Sequence, residues 1–493
     1  MSNSIYKTII TAKNGRNIPV LTNDRTIESK YNPEREATTI LSTIQGSYTF
    51  FIVLGISSGS IIEALLETYN NCKVIGIETS QDDINFLLQL DSIKSLMKNQ
   101  NVILTSLDNI QEVLINNYVP ALYGNFKIIE QKPWLQFNNA ILPLLNQKIN
   151  KAIGIISADY SVQCHFGKIW QNNIINNLRI LSTLPKYNYP SIKNTKTAII
   201  VAAGPSLDDN INDIKDNISD YFIIATDTAY QALYKHNIEA DIVISIDGQH
   251  ISHNHFMGIP ESTKTIFALD LCSDYSISEY LKNKKLPIFY FKSGHPLSNY
   301  ASSFSKIPII ELFSGAGTVT ITALDLALKL GFSKIKIYGG DFSYIKGKAY
   351  VRGTYFDYLF GKENNKLSTL ENFYDKLIYR TELIKQANDK YSTVILNAYR
   401  DSLELYLSNN SCSFDRIENS YVITVNNSNQ IKYSLEAPTF DYRAFIADIK
   451  NSSTEGLIVP LLPYIAWLRN KNHEQEDFVT LLKLAQSNIV IYN

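Results

Sequence analysis

Residues 199–207 read Ile-Ile-Val-Ala-Ala-Gly-Pro-Ser-Leu, and this stretch decides how the centre of the chain is expected to fold. Its first five residues are small or branched apolar residues, which is typical of a buried parallel strand. The strand pattern breaks on Gly204-Pro205-Ser206, and apolar residues at helical spacing follow, at Ile211, Ile214 and Ile218. A strand that ends in a small-residue turn and opens a helix exposes backbone N–H groups at the positive end of the helix dipole. The stretch therefore predicts an α/β unit with a phosphate-bearing ligand, such as a nucleotide, above Gly204.

Four further junctions between a strand and a loop follow along the chain. Their predicted strands end at Asp227, Asp247, Ser314 and Asp341. Ligands of open α/β sheets bind at the carboxyl ends of the strands, so all five junctions are expected to converge on one site.

A similar layout occurs near the N-terminus. Residues 51–55 read as an apolar strand that runs into the small-residue turn 56–60, and a second strand over 73–77 ends at Glu78. An acid at the end of the second strand is typical of the first βαβ unit of dinucleotide- or adenosylmethionine-binding folds. Two interpretations stay open: Glu78 holds a ribose above the turn at Gly55, or this domain is structural.

The predicted fold class is α/β, with two Rossmann-like domains followed by a mainly helical C-terminal region. The expected segments are an N-terminal Rossmann-like domain at 1–150, a helical connector at 151–190, a central catalytic Rossmann-like domain at 191–370 and a mainly helical C-terminal domain at 371–493. Pro185 and Pro190 mark the end of the connector, because proline interrupts a helical pattern.

Composition excludes several classes of function. The 493 residues include 46 Lys and Arg against 47 Asp and Glu, so no nucleic-acid partner held by bulk positive charge is expected. Four scattered cysteines without a CxxC pair indicate a reducing compartment and no zinc site. The N-terminus lacks the layout of a signal peptide, and no apolar run reaches the roughly 18 residues of a membrane span. We therefore expect a cytoplasmic protein without a membrane span.

Three carboxylates at predicted strand ends are candidates for chemistry. Asp227, Asp247 and Asp341 could together bind a divalent metal such as Mg²⁺, hydrogen-bond a ribose or act as a base. The alternative is that each caps the N-terminus of a helix, which aspartate does well.

The chain also carries a His-x-x-His-x-His cluster directly after Asp247. Its members are His250, His253 and His255. No pattern of partner residues that would orient zinc-bound histidines is visible, so solvated loop histidines are expected. One of them could still act as a general acid or base, because the unperturbed pKa of histidine lies near neutrality.

Two loops complete the candidate site. The Gly-rich loop Ser314-Gly315-Ala316-Gly317-Thr318 precedes an apolar helix, and so repeats the arrangement that favours phosphate. The loop around 344–353 contains Tyr344, Tyr350 and Arg352, which could close over a ligand, with the guanidinium opposite a phosphate. The alternative for this second loop is a hairpin with surface aromatics.

Taken in order, these motifs resemble a known family. The strings Ala-Ala-Gly-Pro-Ser-Leu-Asp at 202–208, Ser-Ile-Asp at 245–247, Ser-Gly-Ala-Gly-Thr-Val at 314–319 and Gly-Gly-Asp-Phe-Ser-Tyr at 339–344 are similar to those of the motility accessory factor (Maf) flagellin glycosyltransferases. The shared core is the domain of 6-hydroxymethyl-dihydropterin pyrophosphokinases (MptE-like). The same core is similar to bacterial sialyltransferases that use CMP-sugars.

The resemblance implies a set of binding and catalytic residues. Catalytic roles fall to Asp247, Asp341 and Tyr350, the last supporting the leaving phosphate. Nucleotide-sugar binding falls to Gly204, Pro205, Ser206, Asp227, Thr228, Ser314, Gly315, Thr318, Tyr344 and Arg352. The catalytic His motif of the sialyltransferases has no counterpart, because no His lies between His295 and His473. The candidate bases are therefore Asp247, Asp341 and the loop His250–His255.

The implied reaction moves a nonulosonic acid of the pseudaminic or legionaminic type from a CMP-activated donor to Ser or Thr hydroxyls of flagellin. Flagellin is then the acceptor partner, and flagellar assembly and motility depend on the transfer. One alternative is an ATP- and Mg²⁺-dependent diphosphotransferase acting on a pterin, for which the large N-terminal domain is unnecessary. Another is a non-catalytic protein that binds a nucleotide-sugar or flagellin.

Overall fold

A computed structural model describes residues 4–187, 189, 192, 195–315, 317–361, 369–387, 389–417, 420–426, 435–436, 438–452, 454–471 and 476–491. The predicted boundary at Pro190 and the loop residue Ala316 lie outside these described residues. Within them, no helix is long and apolar enough to cross a membrane. The chain divides into two compact units, Met1–Gly167 with Leu462–Lys483, and Lys168–Leu461 with Leu484–Asn493. The predicted boundaries after residues 150, 190 and 370 differ from this division and stay predictions.

The first unit is built around a parallel sheet. Its elements are β1 (Tyr6–Thr11), β2 (Asn17–Leu21), α1 (Pro33–Leu41), β3 (Phe50–Leu54), α2 (Ser60–Thr68), β4 (Lys73–Glu78), α3 (Gln81–Leu87), α4 (Asp91–Leu96), β5 (Val102–Ser106), α5 (Ile110–Asn117), α6 (Pro120–Tyr123), β6 (Phe126–Glu130) and α7 (Lys132–Phe137). The strand order β5-β4-β3-β6 places β3, the first strand of this sheet along the chain, between later ones. Every residue of β3 is buried, which is why its sequence is continuously apolar. The predicted βαβ unit of the N-terminal region is confirmed.

The helix α8 (Leu142–Leu181) contributes residues to both units. The further elements are β7 (Thr197–Val201), α9 (Leu207–Asp216), β8 (Tyr221–Thr226), α10 (Asp227–Lys235), β9 (Ile242–Ser245), β10 (Ile266–Asp270), α11 (Tyr275–Asn283), β11 (Ile288–Phe291), α12 (Pro296–Ser302), α13 (Val319–Lys329), β12 (Lys334–Tyr338), β13 (Tyr344–Ile345), α14 (Tyr355–Gly361), α15 (Leu370–Ile378), β14 (Ile384–Lys385), β15 (Lys390–Ser392), α16 (Val394–Asn409), β16 (Cys412–Ile417), β17 (Ser420–Val425), α17 (Tyr442–Asn451), α18 (Thr454–Asn470) and α19 (Phe478–Ile491). Two 3-10 helices lie at Asn139–Ile141 and His250–Phe256.

The second unit contains an eight-stranded sheet with the order β11-β10-β9-β8-β7-β12-β17-β16. The six strands from β11 to β12 are parallel, whereas β17 and β16 are antiparallel additions. The strand order reverses between β7 and β12, so the ends of these two strands form the topological switch point where such sheets bind ligands. The α/β class with two Rossmann-like sheets and a helical C-terminal region is therefore confirmed.

One of the five predicted strand ends is wrong. Residues 309–312, which were expected to form the strand before Ser314, make only an isolated bridge between Lys292 and Glu311. The physical reason is that Pro308 removes a backbone donor at the start of this short apolar run, which limits its pairing with the edge strand β11.

Candidate functional site

A cavity of about 380 Å³ lies at the switch point of the eight-stranded sheet. Its walls come from the ends of β7, β8 and β12, the first turn of α13 and the helices α15 and α16. Six of the residues predicted from sequence line it: Gly204, Thr228, Thr318, Asp341, Tyr344 and Tyr350. The cavity is thus the place where the predicted residues meet, and it defines the candidate active site.

Gly204 sits where two strand ends touch. Its N–H donates to the carbonyl of Gly339 over 2.9 Å. A Cβ on Gly204 would lie 2.3 Å from that same carbonyl oxygen, and a Cβ on Gly339 would lie 2.2 Å from the carbonyl oxygen of Ala202. Because both obstacles are backbone atoms, only glycine fits at either position. The two glycines let β7 and β12 end side by side at the floor of the cavity.

The expectation that the Gly204-Pro205-Ser206 turn leaves its N–H groups free for phosphate is wrong. The N–H of Ser206 donates to Asp341 Oδ2 over 2.9 Å, and the Ser206 hydroxyl donates to Asp341 Oδ1. The next three N–H groups, of Leu207, Asp208 and Asp209, bond to carbonyls of the turn itself. The Asp341 carboxylate therefore occupies the start of α9, although burial raises its pKa.

A second helix start does face the cavity. Thr318, Val319 and Thr320 line it, and Thr318 is the N-cap of α13 without a side-chain capping bond. Gly317 adopts a positive φ of 69° and closes the preceding turn by donating to the carbonyl of Ser314 over 2.9 Å. The positive end of α13 is thus the helix start directed at this cavity, which is the geometry that binds anions. Sequence reasoning missed Thr320, whose signal was its place in the first turn after the Gly-rich loop.

Two predicted carboxylates lie beside the cavity rather than in its wall. Asp227 is buried, and its Oδ2 accepts from the Ser245 hydroxyl over 2.6 Å while its Oδ1 accepts from the N–H of Thr228 over 2.7 Å. Asp247 accepts from the N–H of Gln249 over 2.9 Å. Burial raises the pKa of Asp247, and the neighbouring Asp227 raises it further.

Hydrogen bonds from the protein hold the three aspartates. Both oxygens of Asp227 and both of Asp341 accept such bonds, and Asp247 accepts one from Gln249. Among the residues that the structure describes, no group of three or more His, Cys, Asp or Glu side chains is arranged to hold a metal ion. Binding of one divalent ion by Asp227, Asp247 and Asp341 stays a prediction.

The loop after β12 supplies aromatic hydroxyls. Tyr344 and Tyr350 line the cavity, and the N–H of Val351 donates to the carbonyl of Ala203 over 2.9 Å, which fixes the loop against β7. Burial raises the pKa of Tyr350, so its hydroxyl stays neutral and can donate a hydrogen bond. Arg352 is exposed and lies outside the lining.

The remaining predicted binding residues also lie outside the cavity wall. Ser314 and Gly315 belong to the turn before α13, and Pro205 is buried in the turn after β7. Their contribution is to hold the backbone of the two turns.

The three histidines have different environments. The side chain of His250 is 82% exposed and its Nδ1 lies 2.9 Å from Asp274 Oδ2, as expected for a solvated loop residue. His255 instead is buried, and its Nδ1 has no hydrogen-bond partner among the described residues. Its ring meets that of Tyr355 edge-on at 4.3 Å. The pKa of Asp247 is raised by burial, and the nearby imidazole of His255 opposes that rise. The expectation of solvated histidines is therefore wrong for His255.

Part of the cavity wall comes from a region that the motifs did not indicate. Leu377 of α15 and both Leu396 and Tyr399 of α16 line the cavity. No local sequence signal connects these helices with the strand ends, because apolar and aromatic residues on a helix are typical of any core.

Comparison with known proteins relates the chain to a family model, to two relatives and to a solved structure. Residues 172–347 match the family model described as 6-hydroxymethylpterin diphosphokinase MptE-like. An uncharacterised protein of Treponema pallidum (strain Nichols) is 40% identical over 149 residues, which are 29% of this chain and 68% of that protein. A second uncharacterised protein of the same strain is 30% identical over 240 residues, which are 47% of this chain and 77% of that protein.

The fold agrees with a solved structure over nearly the whole chain. The structure of a Maf glycosyltransferase from Magnetospirillum magneticum AMB-1 aligns with a TM-score of 0.53 and 12% sequence identity, covering 98% of this chain and 90% of that one. At this identity the likeness concerns the fold. The chain thus belongs to one family with these Treponema pallidum proteins, contains an MptE-like domain over residues 172–347 and shares the fold of a Maf glycosyltransferase.

Proposed function

We propose that this protein is a glycosyltransferase that moves a nonulosonic acid from a CMP-activated donor to Ser or Thr hydroxyls of flagellin in the cytoplasm. The observation that carries the proposal is the cavity at the switch point of β7 and β12, where an uncapped helix start and two tyrosines converge. This combination suits a ligand whose phosphate must be held while it leaves.

The donor phosphate is assigned to the start of α13. The backbone N–H groups of its first turn carry partial positive charge, and the hydroxyls of Thr318 and Thr320 are available in the same wall. As the bond from the sugar to the phosphate breaks, negative charge grows on the phosphate oxygens. A neutral Tyr350 hydroxyl that donates to them stabilises the transition state more than the ground state.

The acceptor hydroxyl needs a base, and Asp247 is the preferred candidate. Burial moves its pKa towards neutrality, which improves a carboxylate as a proton acceptor. Asp341 is less suited, because the N–H and hydroxyl of Ser206 already use both of its oxygens.

The diphosphotransferase alternative takes its support from the name of the matching family model. It requires Mg²⁺ with ATP, and such a metal is held by one or two carboxylates together with the substrate phosphates. Both oxygens of Asp227 and both of Asp341 already accept hydrogen bonds from the protein, which makes them less suited to this role. The geometry therefore favours the transferase.

The first test is a thermal-shift screen of the full chain with CMP, CDP, UDP and ATP, each with and without Mg²⁺. Stabilisation by CMP without a metal supports the transferase. Stabilisation by ATP that depends on Mg²⁺ would support the diphosphotransferase and reject the CMP-sugar proposal.

The second test measures the transfer of the sugar from a CMP-nonulosonic acid to purified flagellin, which is detected as an increase in the mass of flagellin. Tyr350→Phe is expected to lower kcat by about 100-fold with little change in CMP binding, as for the loss of one oxyanion donor. Tyr379→Phe is the matched control, because Tyr379 is 71% exposed. Binding of CMP without any transfer would support a non-catalytic protein instead.

A further inference from the structure

The first unit has the topology of a nucleotide-binding fold. β3 ends in the turn Gly55–Gly59, α2 follows, and the acid Glu78 ends the neighbouring strand β4. In open α/β sheets, a nucleotide would place its phosphate at the start of α2 and its ribose at the acid. In this chain both positions are filled by side chains of the same unit.

The position expected for the base and ribose is filled by an indole. A Cβ on Gly55 would lie 2.6 Å from Trp134 Cγ, so the turn is pressed against the indole. Trp134 is fully buried, and its Nε1 donates to Glu78 Oε2 over 2.8 Å. Glu78 Oε1 also accepts from the Tyr6 hydroxyl and from the N–H of Ile56, each over 2.7 Å. No carboxylate oxygen of Glu78 is left for a ribose.

The position expected for phosphate is filled by a carboxylate. Glu28 Oε2 accepts from the N–H of Ser58 over 3.1 Å, and its Oε1 accepts from the Ser60 hydroxyl over 2.5 Å at the start of α2. Arg16 donates to the hydroxyl and carbonyl of Ser58 over 2.6 and 2.7 Å. Burial raises the pKa of Glu28, while the hydrogen bonds from Ser58 and Ser60 and the charge of Arg16 oppose that rise. Glu28 is 5% exposed.

We propose that the first unit is a nucleotide-type fold closed by its own side chains, in which Glu28 stands in for a phosphate at the start of α2 and Trp134 with Tyr6 excludes the nucleoside. This inference is independent of the proposed transferase function, since it concerns only contacts within the first unit.

A neighbouring cavity makes it possible to test whether Glu28 occupies the place of a phosphate. Its volume is about 550 Å³, and both Glu28 and Ser60 belong to its wall. Shortening Glu28 would connect the N–H of Ser58 and the hydroxyl of Ser60 with this space. An oxyanion could then enter and restore the lost hydrogen bonds.

The test compares Glu28→Ala with Glu36→Ala, a control at the same cavity whose side chain is exposed. Melting temperatures of the full chain are measured in inorganic phosphate and in sodium chloride of equal ionic strength. Phosphate is expected to raise the melting temperature of Glu28→Ala by several degrees more than that of the wild type or the control. An equal response of all three proteins would overturn the assignment of Glu28 as a phosphate substitute.

A second measurement uses the wild-type chain and so does not depend on a variant that folds. Hydrogen exchange of the amides at 56–60 is followed with and without ATP, NAD and S-adenosylmethionine. Unchanged exchange is expected with each nucleotide at residues 56–59, because their N–H groups already have acceptors within the unit. Nucleotide-dependent protection of this turn would overturn the proposal, whatever the outcome of the transferase assays.

Discussion

Gly204 has a different role in the structure from the phosphate binding that its motif predicts. The turn at Gly204 was expected to hold a phosphate through free N–H groups. Instead, the absence of a side chain lets the ends of β7 and β12 approach, with the N–H of Gly204 bonded to Gly339. The same approach brings Asp341 to the N–H of Ser206. The motif therefore builds the floor of the cavity, while α13 supplies its free helix start.

This close approach predicts a large effect for Gly204→Ala. The added methyl group would meet the Gly339 carbonyl at 2.3 Å and the Asp341 carboxylate at 2.4 Å, so the backbone must shift. We expect the free energy of unfolding to fall by about 1–3 kcal/mol, as for overpacked sites. Urea denaturation followed by circular dichroism measures it. Gly361→Ala is the control, since a Cβ there meets nothing within 4 Å, and an equal loss in both variants would contradict this explanation.

At the scale of elements, the central sheet is completed by strands from far along the chain. β17 pairs with β12 in antiparallel register, and β16 forms the outer edge. Tyr421 of β17 is fully buried in the same apolar cluster as Ile200 of β7 and Ile337 of β12. The strands after residue 371 are therefore part of the central core as well as of a mainly helical region.

Truncation of Tyr421 tests this extension of the core. Tyr421→Ala removes a fully buried ring and is expected to lower the free energy of unfolding by about 3–5 kcal/mol, the range for buried aromatic residues. Ile417→Ala on β16 is the control, because that side chain is 58% exposed and its loss should change stability by less than about 0.5 kcal/mol. If thermal and urea unfolding find the two variants equally stable, the C-terminal strands do not belong to the cooperative core.

At the scale of the whole molecule, the chain contains two Rossmann-like sheets whose candidate ligand positions differ. In the second unit the switch point opens into a cavity lined by hydroxyls and a helix start. In the first unit the equivalent groups are bonded to one another around Glu78 and Glu28. Burial raises the pKa of Glu78 to about 7, so this closed network makes the stability of the protein depend on pH.

The direction of that dependence follows from proton binding. Between pH 4.5 and about 7 the folded state holds the Glu78 proton more tightly than the unfolded state does. The stabilisation that comes from protonated Glu78 is therefore complete below pH 4.5 and is lost as the pH rises through about 7. The loss should be about 3 kcal/mol in the wild type. Glu78→Gln removes the titration, and its unfolding free energy should change less over the same range. Urea unfolding at pH 5 and pH 8 measures the unfolding free energies of the wild type and of Glu78→Gln. An equal change of this free energy with pH in the two proteins would contradict the raised pKa.

The sequence predicted much of the fold, because the signals for it are local. Residues 199–201 and 51–54 of the predicted apolar runs lie in buried parallel strands, and the small-residue turns at Gly204 and Gly55 lead into helices. The strand expected at 309–312 was wrong, because Pro308 limits the pairing of this run with β11. Leu396 and Tyr399 were missed as parts of the cavity wall, because no local pattern specifies which strand ends a distant helix will meet.

Local sequence patterns predict the class of fold, the family resemblance and four of the five strand ends at which a ligand could bind. Which polar groups at those ends remain free depends on contacts that form only in the folded chain. Asp341 reaches the N–H of Ser206 from 135 residues away, and Trp134 reaches Glu78 from 56 residues away. A backbone N–H or a carboxylate binds a ligand only if no partner from elsewhere in the chain already satisfies it, and folding alone brings such partners together.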